Sequence, residues 1–276
     1  MAEVKFRNPH LLVETEWLSL HLYDPDVRVV DLRLPREYDK GHIPNSVNLP
    51  VDRLNTPDNP RLVLPQEQME TLMEELGIGN DTLVVAVDEM GGATASRLLW
   101  TLELYGHARA CLLNGGHLRW SKTVRELSDT SLGIPPASFA AAFDPSRLAT
   151  KAQILEKLGQ PGIVIVDARN ELEYGGAVGE AARFGRIPGA VNVNWEEHLT
   201  LDAIPVFMSA GELQSLYETA GVTKDREVIA YCERGRRASH TYLVLRLLGY
   251  ERVRNYFGSW LEWGNDPQTP IEGEQK

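Results

Sequence analysis

The sequence predicts an α/β architecture in two similar halves, each a parallel sheet flanked by helices on both faces. Three observations carry that prediction: an internal duplication, short β-branched runs without alternation, and helical patterns set between them. The duplication is the strongest of them, because repetition at a fixed spacing fixes the unit of folding before any local reading. VRVVDLRLPREYDKGHIPNSVNLP (27–50) matches GIVIVDARNELEYGGAVGEAARFGRIPGAVNVNW (162–195) in its β-branched run, Asp-x-Arg, acidic stretch with tyrosine, and Ile-Pro-x-x-Val-Asn. TLVVAVDEMGGATASRLLWTLELYGHARACLLNGGHLRW (82–120) likewise parallels EVIAYCERGRRASHTYLVLRLLGYERVRNYFGSWLEW (227–263). The extra residues of the second copy fall in GGAVGEAARFG, a Gly/Ala-rich insertion.

In chain order, Val27–Asp31 and Leu83–Val87 are apolar without alternation, the pattern of strands buried on both faces of a parallel sheet. Residues 65–76 carry helical spacing with acidic residues early, and 95–104 repeat the helical pattern. Strands alternating with helices imply βαβ units. Cys111 lies in a strand-like apolar run, ARACLLNGG, and reads as a structural residue. SDTSLGIPPASFAAAFDPSRLAT, with paired prolines and small residues, reads as a linker. The domains are therefore placed at 1–127 and 147–276, joined by 128–146. In the second half Glu227–Tyr231 is a strand and 239–248 a helix, so residues 232–237 form a strand-to-helix turn. The polar end, NDPQTPIEGEQK, is expected to fray.

Composition excludes several classes of function. The apolar share of 43% and charged share of 24% belong to a globular chain, and a net charge of -11 argues against nucleic acid or an anionic membrane as partner. No apolar segment is long enough to span a bilayer, and the N-terminus lacks the pattern of a signal peptide. Two cysteines, Cys111 and Cys232, make neither a disulfide framework nor a metal site, which suits a reducing cytoplasm. No metal or cofactor is expected.

Against this acidic background, CERGRR is out of place: Cys232, Glu233, Arg234, Gly235, Arg236 and Arg237 put three arginines beside a thiol. Ligands of parallel α/β sheets bind at the carboxyl ends of strands, where such turns lie. The backbone N–H groups of the turn and the helix start make a cradle for an anion. Helix dipole and guanidinium groups favour the thiolate, so the thiol is expected below its free pKa of about 8.5. A buried, inert cysteine is the alternative, but its charged followers cannot all be buried. No histidine base is needed, although His240 lies one to two turns along. The counterpart in the first half is Glu89, or Asp88 if the longer loop shifts by one; either is acidic. Trp195 and Trp260 follow strand ends, positions from which they would line the cleft.

The duplicated halves, YDKGHIP, the Cys-x-x-Gly-x-Arg loop and NYFGSWLEWG resemble a tandem-domain rhodanese, a thiosulfate sulfurtransferase, over essentially the whole chain. The resemblance implies two rhodanese-like domains, the first non-catalytic and closing the cleft, the second catalytic. It implies that Cys232 takes a sulfane sulfur as a persulfide and passes it to a thiophilic acceptor such as cyanide, with residues 233–237 as the cradle. The partners it implies are a small anionic sulfur donor and a thiophilic acceptor, which includes a protein thiol. The chain departs from the family pattern at two places. Arg186 stands where the first half has His42, and Glu173 stands where vertebrate members place a substrate-binding arginine. Arg183 or Arg186, on the insertion, is the candidate replacement. Asp167 and Arg169 are expected to brace the loop or to form a structural ion pair.

The loop itself bears on three further readings. A 3-mercaptopyruvate donor goes with a small, weakly charged loop in the family, whereas this basic loop suits the compact thiosulfate dianion. Protein-to-protein persulfide transfer would use the same chemistry. A cysteine phosphatase of this fold needs its arginine six positions after the cysteine; here Arg237 is five positions on, and position 238 is alanine.

Overall fold

The computed structural model of the chain describes residues 4–123, 126–130 and 133–273. It divides into two compact units: Pro9–Asp144 with Leu201–Phe207, and Pro145–Thr200 with Met208–Lys276 and residues 4–8.

The first unit runs β1 (Leu12–Val13), α1 (Thr15–His21), β2 (Val27–Asp31), α2 (Pro35–Tyr38), β3 (Ser46–Asn48), β4 (Asn55–Thr56), β5 (Asn59–Val63), α3 (Gln66–Glu75), β6 (Leu83–Val87), α4 (Ala93–Leu104), β7 (Ala110–Leu113) and α5 (Gly116–Lys122). Its main sheet has the order β1-β7-β6-β2-β3 with every pair parallel; β4 and β5 make a separate antiparallel pair. All five residues of β2 are buried, as a strand covered on both faces requires. Val29, Val85, Cys111 and Leu113 share a core with Leu18 and Trp120.

The proline-rich stretch behaves differently from a free connector. Glu74 accepts the Phe139 N–H, Asn80 exchanges two hydrogen bonds with Ala140, and Tyr105 accepts the Ala142 N–H at its carbonyl. Phe139 is buried. Residues 139–142 are therefore a strap on the first unit, their extended backbone finding its partners on neighbouring elements.

The second unit repeats the pattern: α6 (Lys151–Lys157), β8 (Ile163–Asp167), α7 (Glu171–Gly175), β9 (Val191–Asn192), α8 (Ala210–Thr219), β10 (Glu227–Tyr231), α9 (Arg236–Leu247), β11 (Val253–Asn255) and α10 (Ser259–Trp263). Its parallel sheet has the order β11-β10-β8-β9. Each unit is thus an α/β layer structure of parallel strands flanked by helices. Thr150, Asn170 and Ser209 form capping boxes that start α6, α7 and α8.

The helices after the matched loops start earlier than their apolar spacing suggests. α4 begins at residue 93 and α9 at residue 236, because Gly92 (φ 92°) and Gly235 (φ 82°) turn the chain through the left-handed region in a single step. Arg236 and Arg237 are therefore the first helical residues rather than part of the turn. The C-terminal end is docked rather than frayed as far as residue 273. Thr269 is buried, Trp263 Nε1 donates to the Pro270 carbonyl, and Glu272 pairs its backbone with Arg186. Among the described residues, no helix is long and apolar enough to cross a membrane.

Candidate functional site

Cys232 follows β10 directly, at the carboxyl end of a central strand, where the βα turn meets the sheet. Its Sγ accepts the Gly235 N–H at 3.0 Å, the last residue before the 12-residue helix α9. α9 has no side-chain cap, so its first N–H groups and the positive end of its dipole face this turn unneutralised. The turn is fixed from outside: Ser259 Oγ accepts the Cys232 N–H at 3.2 Å, and Trp260 and Leu261 donate to the carbonyls of Cys232 and Glu233. Gly235 cannot be replaced without cost, because a Cβ there would lie 2.2 Å from the Phe257 ring. The sulfur itself is buried, packed with Ala168, Ala230 and Ala238 and against Trp195.

The arginines beside the thiol are paired with carboxylates. Arg237 meets Glu173 fork to fork, Nη1 to Oε2 and Nη2 to Oε1, both at 2.7 Å. Burial pushes the Glu173 carboxyl up, but the Arg237 hydrogen bond and charge outweigh it and the pKa falls. Burial pulls the Arg237 guanidinium down, and Glu173 together with the charge of Cys232 raises it overall. Arg234 is bonded to Glu180 on the surface. The Gly/Ala-rich insertion thus supplies one acid and α7 the other. Neither pairing has a local sequence signal, and both were missed in the sequence.

Asp167 and Arg169 form a fully buried pair, with Nε at 3.0 Å and Nη2 at 2.7 Å from the carboxylate. The same pair, Asp31 with Arg33, occurs in the first unit without a cysteine, so the pair belongs to the fold. Arg169 has a further role: its Nη1 reaches Glu233 Oε2 at 3.5 Å and its guanidinium lies 4.7 Å over the Trp260 ring. Burial raises the Glu233 carboxyl, with Arg169 opposing. Glu233 therefore points inward as an anchor. Trp260 is fully buried, which removes it from any cleft lining, while Trp195 is partly buried beside the thiol.

Arg186 and Arg183 are turned to the C-terminal segment. Arg186 lies 4.6 Å over the Tyr174 ring and 3.5 Å from Glu272. In the first unit His42 stacks on Tyr38 at 3.8 Å, so Arg186 replaces that histidine in packing on the equivalent tyrosine. Arg183 donates to the carbonyls of Trp263, Gly264, Asp266 and Thr269. As replacements for a substrate-binding arginine, both are spent on folding the insertion against residues 263–272.

In the first unit the residue after the matched strand β6 is Asp88, which fixes the counterpart of Cys232 as Asp88 and not Glu89. Its buried carboxylate accepts N–H groups from Met90, Gly92, Thr94 and Ala95 at 2.8–3.1 Å, and the Thr94 hydroxyl at 2.7 Å. The anion cradle is present there, and it is filled by the chain's own anion. His240 is also fully buried, with Nδ1 at 3.1 Å from His198 Nδ1, and His198 bonds the Tyr217 hydroxyl at 2.8 Å. Burial, then His240, drives His198 well below the ordinary histidine range, so His198 packs as a neutral ring. Cys111 is buried, and burial pushes its thiol up to about 12.

The rhodanese-like domain model matches twice, over residues 14–123 and 150–266. The chain is 37% identical to the sulfur carrier protein TtuD of Thermus thermophilus, over 98% of this chain and 99% of that protein. It is 35% identical to the thiosulfate sulfurtransferase of Azotobacter vinelandii, over 97% and 98%. Among solved structures, the 3-mercaptopyruvate sulfotransferase SseA of Escherichia coli aligns with a TM-score of 0.81 at 29% identity, covering 91% of this chain and 98% of that one. With two matched domains and near-complete overlap with such relatives, the chain belongs to the rhodanese-like family.

Proposed function

We propose that the protein is a sulfurtransferase that carries a sulfane sulfur on Cys232, with thiosulfate as donor and a thiophile such as cyanide as acceptor. In this reading residues 147–276 are catalytic, 128–146 connect, and 1–127 are non-catalytic. One observation carries it: Cys232 Sγ stands at the end of a central strand and accepts an N–H at the open start of α9. That is a site for a sulfur anion.

The steps follow from covalent catalysis. The Cys232 thiolate attacks the outer sulfur of thiosulfate; a new S–S bond forms, the old one breaks, and sulfite leaves with its electron pair. The acceptor then attacks the terminal persulfide sulfur and regenerates the thiolate. The Gly235 N–H and the positive end of the α9 dipole hold the persulfide anion. The positive end of the α9 dipole stabilises the departing sulfite, while the Arg237 fork is engaged by Glu173. Charge and atoms balance without a metal or cofactor. Glu233 and the Asp167–Arg169 pair hold the turn.

Two observations favour a second reading, a relay of persulfide sulfur from a protein thiol: Arg234 and Arg237 are already paired with carboxylates, and a relative is named a sulfur carrier. The neighbouring 3-mercaptopyruvate sulfotransferase keeps that donor as a third candidate. The deciding experiment is intact mass spectrometry after incubation with thiosulfate, 3-mercaptopyruvate or a persulfidated cysteine desulfurase. Wild type should gain one sulfur atom and Cys232→Ser none. A gain that survives in the variant removes Cys232 as carrier, and the donor giving the fastest gain names the substrate.

A further inference from the structure

The basic character of the loop is largely cancelled in three dimensions. Arg169 faces Glu233, Arg234 faces Glu180 and Arg237 faces Glu173, so the arginines beside Cys232 stand next to carboxylates of the same unit. The three pairs differ in kind. Arg234 and Glu180 are more than half exposed, so solvent screens them and the pairing is weak. Glu233 is an inward anchor. The Arg237–Glu173 pair is mostly buried, bidentate and at the start of α9, where a sulfonate would seek the same planar fork.

Glu173 is held in place by more than this arginine. It is the third residue of the capping box that starts α7: its N–H donates to Asn170 Oδ1 at 3.0 Å and its carboxylate accepts the Asn170 N–H at 3.3 Å. Its carboxylate therefore cannot swing away without breaking the cap. An incoming donor anion meets a guanidinium whose two N–H prongs are already occupied, and a fixed negative charge beside them.

We propose that Glu173 is a specificity-determining residue: its carboxylate occupies the Arg237 fork in the donor's place, and the site therefore selects sulfur donors by charge, penalising dianions relative to monoanions. This rests on the reading of Cys232 as the sulfur carrier and names which donors that carrier accepts. The interaction is coulombic, so its energy scales with donor charge. Removing one partly buried charge should improve binding of a dianion by about tenfold, and that of a monoanion by about the square root, roughly threefold.

The test compares thiosulfate with benzenethiosulfonate, a monoanionic donor with the same outer sulfur, in wild type and Glu173→Gln. Glutamine can still accept the Asn170 N–H, so the cap survives while the charge is lost. The expected result is a KM about tenfold lower for thiosulfate and about threefold lower for the thiosulfonate, with a steeper salt dependence of kcat/KM in the variant. Glu173→Ala, which removes cap and charge together, is expected to lose thermal stability yet raise the ratio of kcat/KM for thiosulfate over thiosulfonate about threefold. That ratio, taken on one preparation, is independent of the folded fraction. An equal change for both donors, or a rise in KM for both, overturns the proposal and leaves Glu173 as a residue that only positions Arg237. If wild type takes no sulfur from either donor but is loaded by a persulfidated cysteine desulfurase, Cys232 remains the carrier and this assignment alone is overturned; if none of the three loads it, the sulfur-carrier reading fails first.

Discussion

Replacing Asp88 by asparagine tests whether the first unit's loop is an anion cradle filled from within. Oδ1 accepts the Met90 and Gly92 N–H groups, and Oδ2 accepts the Thr94 and Ala95 N–H groups with the Thr94 hydroxyl. Asparagine keeps one oxygen. Whichever way the amide turns, its NH2 faces at least two N–H donors, one or both of them buried. Each orphaned donor costs about 1–3 kcal/mol, and the lost charge at the start of α4 adds about 0.3–2 kcal/mol. A loss of about 2–8 kcal/mol is expected, large against the stability of an ordinary domain. Urea unfolding of the full chain would read it globally, and hydrogen–deuterium exchange of the α4 amides would read it locally. A loss below about 1 kcal/mol by both measures would refute the reasoning, because it would mean that water or relaxed backbone serves those donors equally well.

Two further outcomes follow from the second unit's loop and from the two cysteines. Gly235→Ala forces an L-residue into φ 82° and drives a Cβ against Phe257, so a loss of about 2–5 kcal/mol and a much lower persulfide yield are expected in urea unfolding and mass spectrometry; stability within about 1 kcal/mol of wild type would contradict it. Cys111, with its thiol pushed up to about 12, should resist iodoacetamide at pH 8 in native Cys232→Ser protein, since only the thiolate reacts. The sign of its linkage follows: between the ordinary thiol value of about 8.5 and about 12 the folded state keeps a proton that the unfolded chain has lost, so stability falls as pH rises. Cys111→Ala should flatten that alkaline decline, and an unchanged slope would show that other groups cause it.

Much of the site was readable before any coordinates because it is built from local signals. The apolar runs at Val27–Asp31, Leu83–Val87 and Glu227–Tyr231 coincide with strands, since burial on both faces leaves its mark in consecutive residues. The duplication placed Cys232 opposite an acidic residue in the other half, and the coordinates select Asp88. The helices start at residues 93 and 236, earlier than apolar spacing indicates, because a single left-handed glycine begins each one. For Arg183 and Arg186 the limit is different: a cation in an insertion carries no sign of its partner. The carbonyl partners of Arg183 and the Glu272 partner of Arg186 come from residues far along the chain.

By itself, then, the sequence determined the α/β class, the doubling of the unit, the thiol at a strand-to-helix turn and the family to which the chain belongs. These are encoded in adjacent residues and in one repeated pattern. Only the tertiary structure decided the electrical state of that turn. Glu173 is 64 residues from Arg237 and Glu180 is 54 from Arg234, separations that no periodicity spans. They meet because β8 and β10 pair in parallel register, which brings α7 and the insertion after β8 beside the turn after β10. A basic cluster in the linear chain becomes, once folded, a turn in which Arg234 and Arg237 each already face an acid.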